Sequence, residues 1–95
     1  MVGDAMRCYA WHPSVADMLV TEDGALVLTD IELLDLSPLS QLVMTLCERT
    51  PQSADRLTRA CVDEFGAPGS GSASELVRQA LEHLEAAQLL HAVDC

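Results

Sequence analysis

ALVLTDIELLDLSPLSQLVMTLC, residues 25–47, starts with the spacing of a β-strand and ends with the spacing of a helix, and Ser37-Pro38 marks the join. Ala25 to Thr29 reads as the return strand of a hairpin. Its partner is the short apolar run Met18-Leu19-Val20-Thr21, and Glu22-Asp23-Gly24 lies between them. Asp-Gly between two β-type runs is a strong hairpin signal, because both residues tolerate the positive φ of a tight turn. Thr29-Asp30 is a weaker turn. Ile31 to Leu36 then reads as a third strand, with Glu32 and Asp35 as its polar interruptions and Leu33-Leu34 breaking strict alternation. Ser37 suits the N-cap of a helix, and Pro38 suits the first helical position, where no backbone N–H is needed. Leu39, Leu42, Val43, Leu46 and Cys47 follow at helical spacing, which predicts a first helix ending near Glu48.

Downstream, Ser53 is placed to cap a second helix with an apolar face of Leu57, Ala60, Cys61 and Phe65, stopped by Gly66. GAPGSGSAS, residues 66–74, reads as a flexible loop. Ser72-Ala73-Ser74-Glu75 has the pattern of a capping box for a third helix. That helix carries a wide stripe of Leu76, Val77, Ala80, Leu81 and Leu84. Leu89-Leu90 and Ala92-Val93 suggest a final extended stub. Residues 1–14 show no period and read as an irregular N-terminal segment. The whole, residues 1–95, is read as a single α+β domain of winged-helix kind: a three-stranded antiparallel sheet followed by three helices.

Fifteen acids stand against five bases, all five of them arginine, for a formal charge of −10. Such a chain repels a phosphate backbone, since nucleic-acid affinity comes largely from neutralising phosphates. It favours a basic partner. No apolar run approaches the roughly 18 residues of a membrane span, and no signal-type apolar block opens the chain. A cytoplasmic protein is therefore expected. In that setting Cys47 and Cys61 read as small buried hydrophobes, and Cys8 and Cys95 as exposed thiols. Three aromatic residues leave the core to Leu, Val, Ala and Met.

Nothing in the chain argues for catalysis or for a cofactor. Metal sites need converging ligands at short spacings, and no Cys-x2-Cys pair occurs; His91-x3-Cys95 is the nearest approach. A nucleophile needs a base in reach, yet Cys47 falls on an apolar stripe, and His12 and His83 have no evident partner. GAPGSG lacks the Lys of a phosphate loop.

The order of these signals carries a resemblance. An Asp-Gly hairpin leads to a strand ending in LLDLSPLSQLVMTLC, then SADRLTRACVDEFG, a loop, and SELVRQALEHLEAAQLL. This resembles the PqqD-like family, the peptide chaperones also called RiPP recognition elements, over roughly residues 15–90. Leu34-Asp35, Leu57 to Phe65 and Leu84 to Leu90 match the family pattern. Gln88 stands where the family commonly has Gly, the first helix lacks the frequent Trp, and loop 66–74 is richer in Gly and Ser, so the chain resembles a divergent branch. The resemblance implies a noncatalytic protein that binds the leader segment of a ribosomally made precursor peptide and presents it to a modifying enzyme. The guest would add a strand to the third strand of the sheet and rest against the third helix.

On that reading the expected peptide-binding residues are Ile31, Glu32, Leu33, Leu34, Asp35 and Leu36 of the strand, with Val77, Ala80, Leu81 and Leu84 of the helix. An edge strand offers unpaired N–H and C=O groups, and pockets for alternate side chains add selectivity. Leu81→Asp or Val77→Asp is then expected to weaken leader binding more than Glu32→Ala. Each leucine, taken alone, reads as core. The alternatives are a small winged-helix DNA regulator, disfavoured by Glu75, Glu82 and Glu85 around Arg78 on the third helix, and a noncatalytic accessory subunit of a larger enzyme. Dimerisation or strand exchange would also cover an apolar groove.

Overall fold

The computed structural model describes residues 7–22, 24–29, 33–66, 69 and 72–94. In chain order the elements are β1 (Arg7–Trp11), β2 (Val15–Thr21), β3 (Gly24–Thr29), β4 (Leu33–Leu36), α1 (Pro38–Cys47), β5 (Gln52–Ser53), α2 (Ala54–Phe65), α3 (Ala73–Ala86) and β6 (Leu90–Asp94). They form an α+β domain of three helices and two three-stranded antiparallel sheets.

β2, β3 and β4 lie side by side in that order, with Thr21 opposite Gly24 at the hairpin and Ala25 opposite Leu36 at the other end. Gly24 sits at φ 144°, a conformation that strains any residue with a Cβ. Asp23 of the expected turn lies outside the described residues, as do Asp30, Ile31 and Glu32 of the expected third strand. The pairing register shifts between Val15 and Asp17, so Ala16 is bulged and β2 starts earlier than the run Met18–Thr21 suggests.

The second sheet corrects the sequence reading twice. Residues 7–11 are not irregular. They form β1, the middle strand of the order β5-β1-β6, pairing with Gln52–Ser53 on one side and Leu90–Asp94 on the other. Its partners lie some 40 and 80 residues away, so no local turn signal announces it. The indole N–H of Trp11 donates to the Met44 carbonyl at 2.7 Å and ties β1 to α1. Cys8 is not an exposed thiol: it is 6% exposed and disulfide-bonded. Cys95 lies outside the described residues.

The helix signals hold. Ser37, Ser53 and Ser72 are N-caps, each accepting from the backbone N–H three residues on, at 3.2, 3.2 and 3.1 Å. The box at Ser72 is half made, because the Glu75 carboxylate turns to Arg78 rather than back to the cap. Gly66, at φ 82°, closes α2 with its N–H on the Val62 carbonyl. The core joins the three helices to β3 and β6. Val27, Val43, Met44, Leu57, Leu84 and Leu90 are each 1% exposed or less. Phe65 departs from the expected helix face and is 53% exposed.

α3 ends in a Schellman motif. The N–H of Leu89 donates to the Leu84 carbonyl, and the N–H of Gln88 to that of Glu85. Leu84 and Leu89 both pack into the core, completing the motif's hydrophobic contact. The left-handed position falls on Gln88, at φ 60°, where glycine is the usual occupant. A side chain there costs about 1 kcal/mol, part of which glycine gives back through unfolded-state entropy. Gln88→Gly is expected to raise unfolding free energy by about 0.5–1 kcal/mol, read as a higher denaturant midpoint at unchanged slope.

Cys47 and Cys61 are free and buried, as expected. Burial pushes the Cys47 thiol up to about 12 from an ordinary 9.0, against a smaller lowering by a backbone hydrogen bond from Gln52. Burial raises Cys61 as well. Below pH 9 both the native and the unfolded chain keep the Cys47 proton, so this group adds no pH dependence. Between pH 9 and about 12 only the unfolded chain releases it. Stability should therefore fall there by up to about 1.4 kcal/mol per pH unit from this group. Denaturant titrations across that window should show a shallower fall for Cys47→Ala than for the parent.

Candidate functional site

β4 is at the end of its sheet. Leu33 to Leu36 pair with β3 on one side, and among the described residues no strand pairs with the other. Short strands limit the liability of such an edge, and an acidic side chain, here Asp35, discourages pairing with another copy.

Beside this edge lies a cleft of about 140 Å³. Leu34 and Leu36 line one wall. Ser37 and Ser40 close the end where β4 turns into α1. The opposite wall is the last turn of α3 and its exit: His83, Leu84, Ala87 and Leu89. Leu84 and Leu89 are 1% and 2% exposed and form an apolar floor, while Asp35 and His83 are exposed at the mouth. A cavity of about 150 Å³ holds a benzene-sized group, and pockets for small-molecule ligands run from about 300 Å³. A cleft of this volume has room for one bulky apolar side chain.

The ten expected site residues separate accordingly. Ile31 and Glu32 lie outside the described residues. Leu34, Asp35, Leu36 and Leu84 line the cleft together. Leu33 does not, because the period of a strand turns it to the opposite side of the sheet from Leu34 and Leu36. Val77 and Leu81 are 1% and 2% exposed and belong to the core. Val77 lies toward Leu39 and Cys61, and Leu81 toward Tyr9 and Ala54. Ala80 is partly buried and is not among the cleft residues. The wide stripe of α3 is wide because the helix packs on α1, α2 and β6, not because one side is left for a guest. The wall that does face β4 is one turn further along. His83, one step off the stripe, and Ala87 beyond its end were the available signals.

A second hollow, of about 250 Å³, lies between α2 and the start of α3. Its lining is apolar, with Phe65 and Leu76 exposed at its mouth. Elsewhere on α3, Arg78 is engaged by Glu75 and Glu82, its Nε donating to Glu75 Oε2 at 3.2 Å. That contact holds the Glu75 carboxyl below its ordinary range. Among the described residues no three His, Cys, Asp or Glu side chains come together as metal ligands, and no helix is long and apolar enough to cross a membrane. No protein family, curated protein or solved structure matches this chain.

Proposed function

We propose that the protein binds the leader segment of a ribosomally made precursor peptide by strand addition at β4 and presents it to a modifying enzyme, without itself catalysing a reaction. The observation that carries this reading is the edge of β4, which no strand among the described residues pairs with, beside a cleft floored by Leu84 and Leu89. We take β2–β4 with α1–α3 as the winged-helix-like part of the domain, and β1, β5 and β6 as an addition to it. A cytoplasmic setting goes with this role.

The energetics assign the selectivity to the cleft. Alternate residues of β4 point their backbone groups toward β3, so about half of four residues are free to pair outward. A handful of bonds netting about 1 kcal/mol each falls short of the about 8 kcal/mol of a micromolar complex once ordering costs are met. One large aliphatic or aromatic leader side chain in the cleft supplies about 1.5–3 kcal/mol more. The test is calorimetric titration with the N-terminal halves of short precursor-like peptides encoded beside the gene. One-to-one binding at micromolar affinity or tighter is expected. Absence of binding, together with a gel shift of duplex DNA at low salt, would put the regulator reading in its place. The pairing of Arg78 with two carboxylates argues against that outcome.

A further inference from the structure

We infer that the outer face of the β2–β3–β4 sheet is a second docking surface, and that its partner is a polypeptide segment bearing an aliphatic stripe flanked by Lys or Arg. The register defines the face. Met18, Val27 and Leu34 lie in one cross-strand row and turn inward, Val27 being fully buried. The rows on either side of them turn outward: Asp17, Leu28 and Leu33 in one, Leu19, Leu26 and Asp35 in the other. Four leucines thus adjoin on one surface, and Leu19, Leu28 and Leu33 are 54%, 44% and 56% exposed. Single exposed leucines are ordinary, but a contiguous apolar group rimmed by charge marks an interaction site.

The rim identifies the partner. An aspartate closes the face at opposite corners, Asp17 on β2 and Asp35 on β4. They are the only charged residues of β2, β3 and β4, which hold no Lys or Arg. A second copy of the chain would bring the same acidic rim against itself in a two-fold contact, whereas a basic segment would neutralise it and be steered toward it. The surface meets the cleft only at Asp35: Leu33 and Leu28 face one side of the sheet, Leu34 and Leu36 the other. The inference does not rest on the leader-peptide reading.

The probe is a dye-labelled amphipathic peptide of Leu and Lys, about four helical turns long, titrated against the intact protein by fluorescence anisotropy. A counterpart with every Lys replaced by Glu serves as the comparison. Micromolar binding of the Lys peptide alone is expected, weakening as salt rises. Leu28→Ser with Leu33→Ser should weaken it at least about tenfold, as loss of central apolar contacts does. Asp17→Asn should lessen the salt dependence, and Asp63→Asn on α2 should change neither. Should the double variant fail to fold by circular dichroism, Leu19→Ser on the neighbouring strand reads the same loss. Failure of the Lys peptide to bind, unchanged affinity in the leucine variants, or equal binding of the Glu peptide would overturn the proposal. So would a wild-type dimer in sedimentation that the leucine variants convert to monomer.

Discussion

Leu81→Asp and Val77→Asp are expected to unfold the domain rather than to impair peptide binding selectively. Both side chains lie in the core that α3 shares with the rest of the domain, at 2% and 1% exposure. Truncating a buried Leu to Ala typically costs about 2–5 kcal/mol, and an unpaired carboxylate in its place adds a desolvation penalty of several more. Domains of this size have roughly 5–14 kcal/mol in all. The far-UV spectrum of either variant should be largely that of an unfolded chain, with no cooperative thermal transition. Leu76→Asp is the control on the same helix: Leu76 is 43% exposed, and the change should leave the transition within about 1 kcal/mol of the parent. A folded Leu81→Asp protein would mean that α3 packs differently from the arrangement described.

On the proposed reading Ala87→Trp should do the reverse, leaving the fold intact and weakening the hold on a guest peptide. Ala87 caps α3 at the edge of the cleft, opposite Leu34 and Leu36, and is partly buried. A cleft of about 140 Å³ cannot hold an indole and a leader side chain together. If the guest loses one buried apolar side chain, about 1.5–3 kcal/mol, its affinity should fall about ten- to hundredfold. Backbone pairing along β4 would survive, so weak binding should remain. Calorimetry on the variant, with a melting curve to confirm folding, reads both halves. Wild-type affinity in a folded Ala87→Trp protein would place the guest elsewhere.

The parts of this fold written in short-range chemistry were legible. Three serine caps, the proline at the start of α1 and the glycine ending α2 each act within four residues, and each sits where its local pattern puts it. What was not legible depends on distant partners. β1 has ladder partners on β5 and β6, and Cys-Tyr-Ala-Trp carries too few alternations to announce a strand without them. The site divides in the same way. Of the third strand expected over Ile31 to Leu36, Leu33 to Leu36 form β4, at the end of its sheet and running into α1, and Ile31 and Glu32 lie outside the described residues. Of the expected helix residues Leu84 lines the cleft, with His83, Ala87 and Leu89 beyond it, while Val77 and Leu81 pack in the core, because a broad apolar stripe reads the same whether it faces three neighbours or a groove. Leu33-Leu34 breaks the alternation, so the sequence leaves the register open, and only the pairing with Leu28 and Val27 fixes which leucine faces inward.

Amide hydrogen exchange of Leu33 to Leu36, with and without a saturating precursor N-terminal peptide, tests the central claim most directly. The account predicts that outward-facing amides of β4, which pair with no strand among the described residues, become protected in the complex, while the edge of β2 keeps its exchange rate. Unchanged β4 amides in a demonstrably bound complex, or protection confined to β2 or β6, would contradict it.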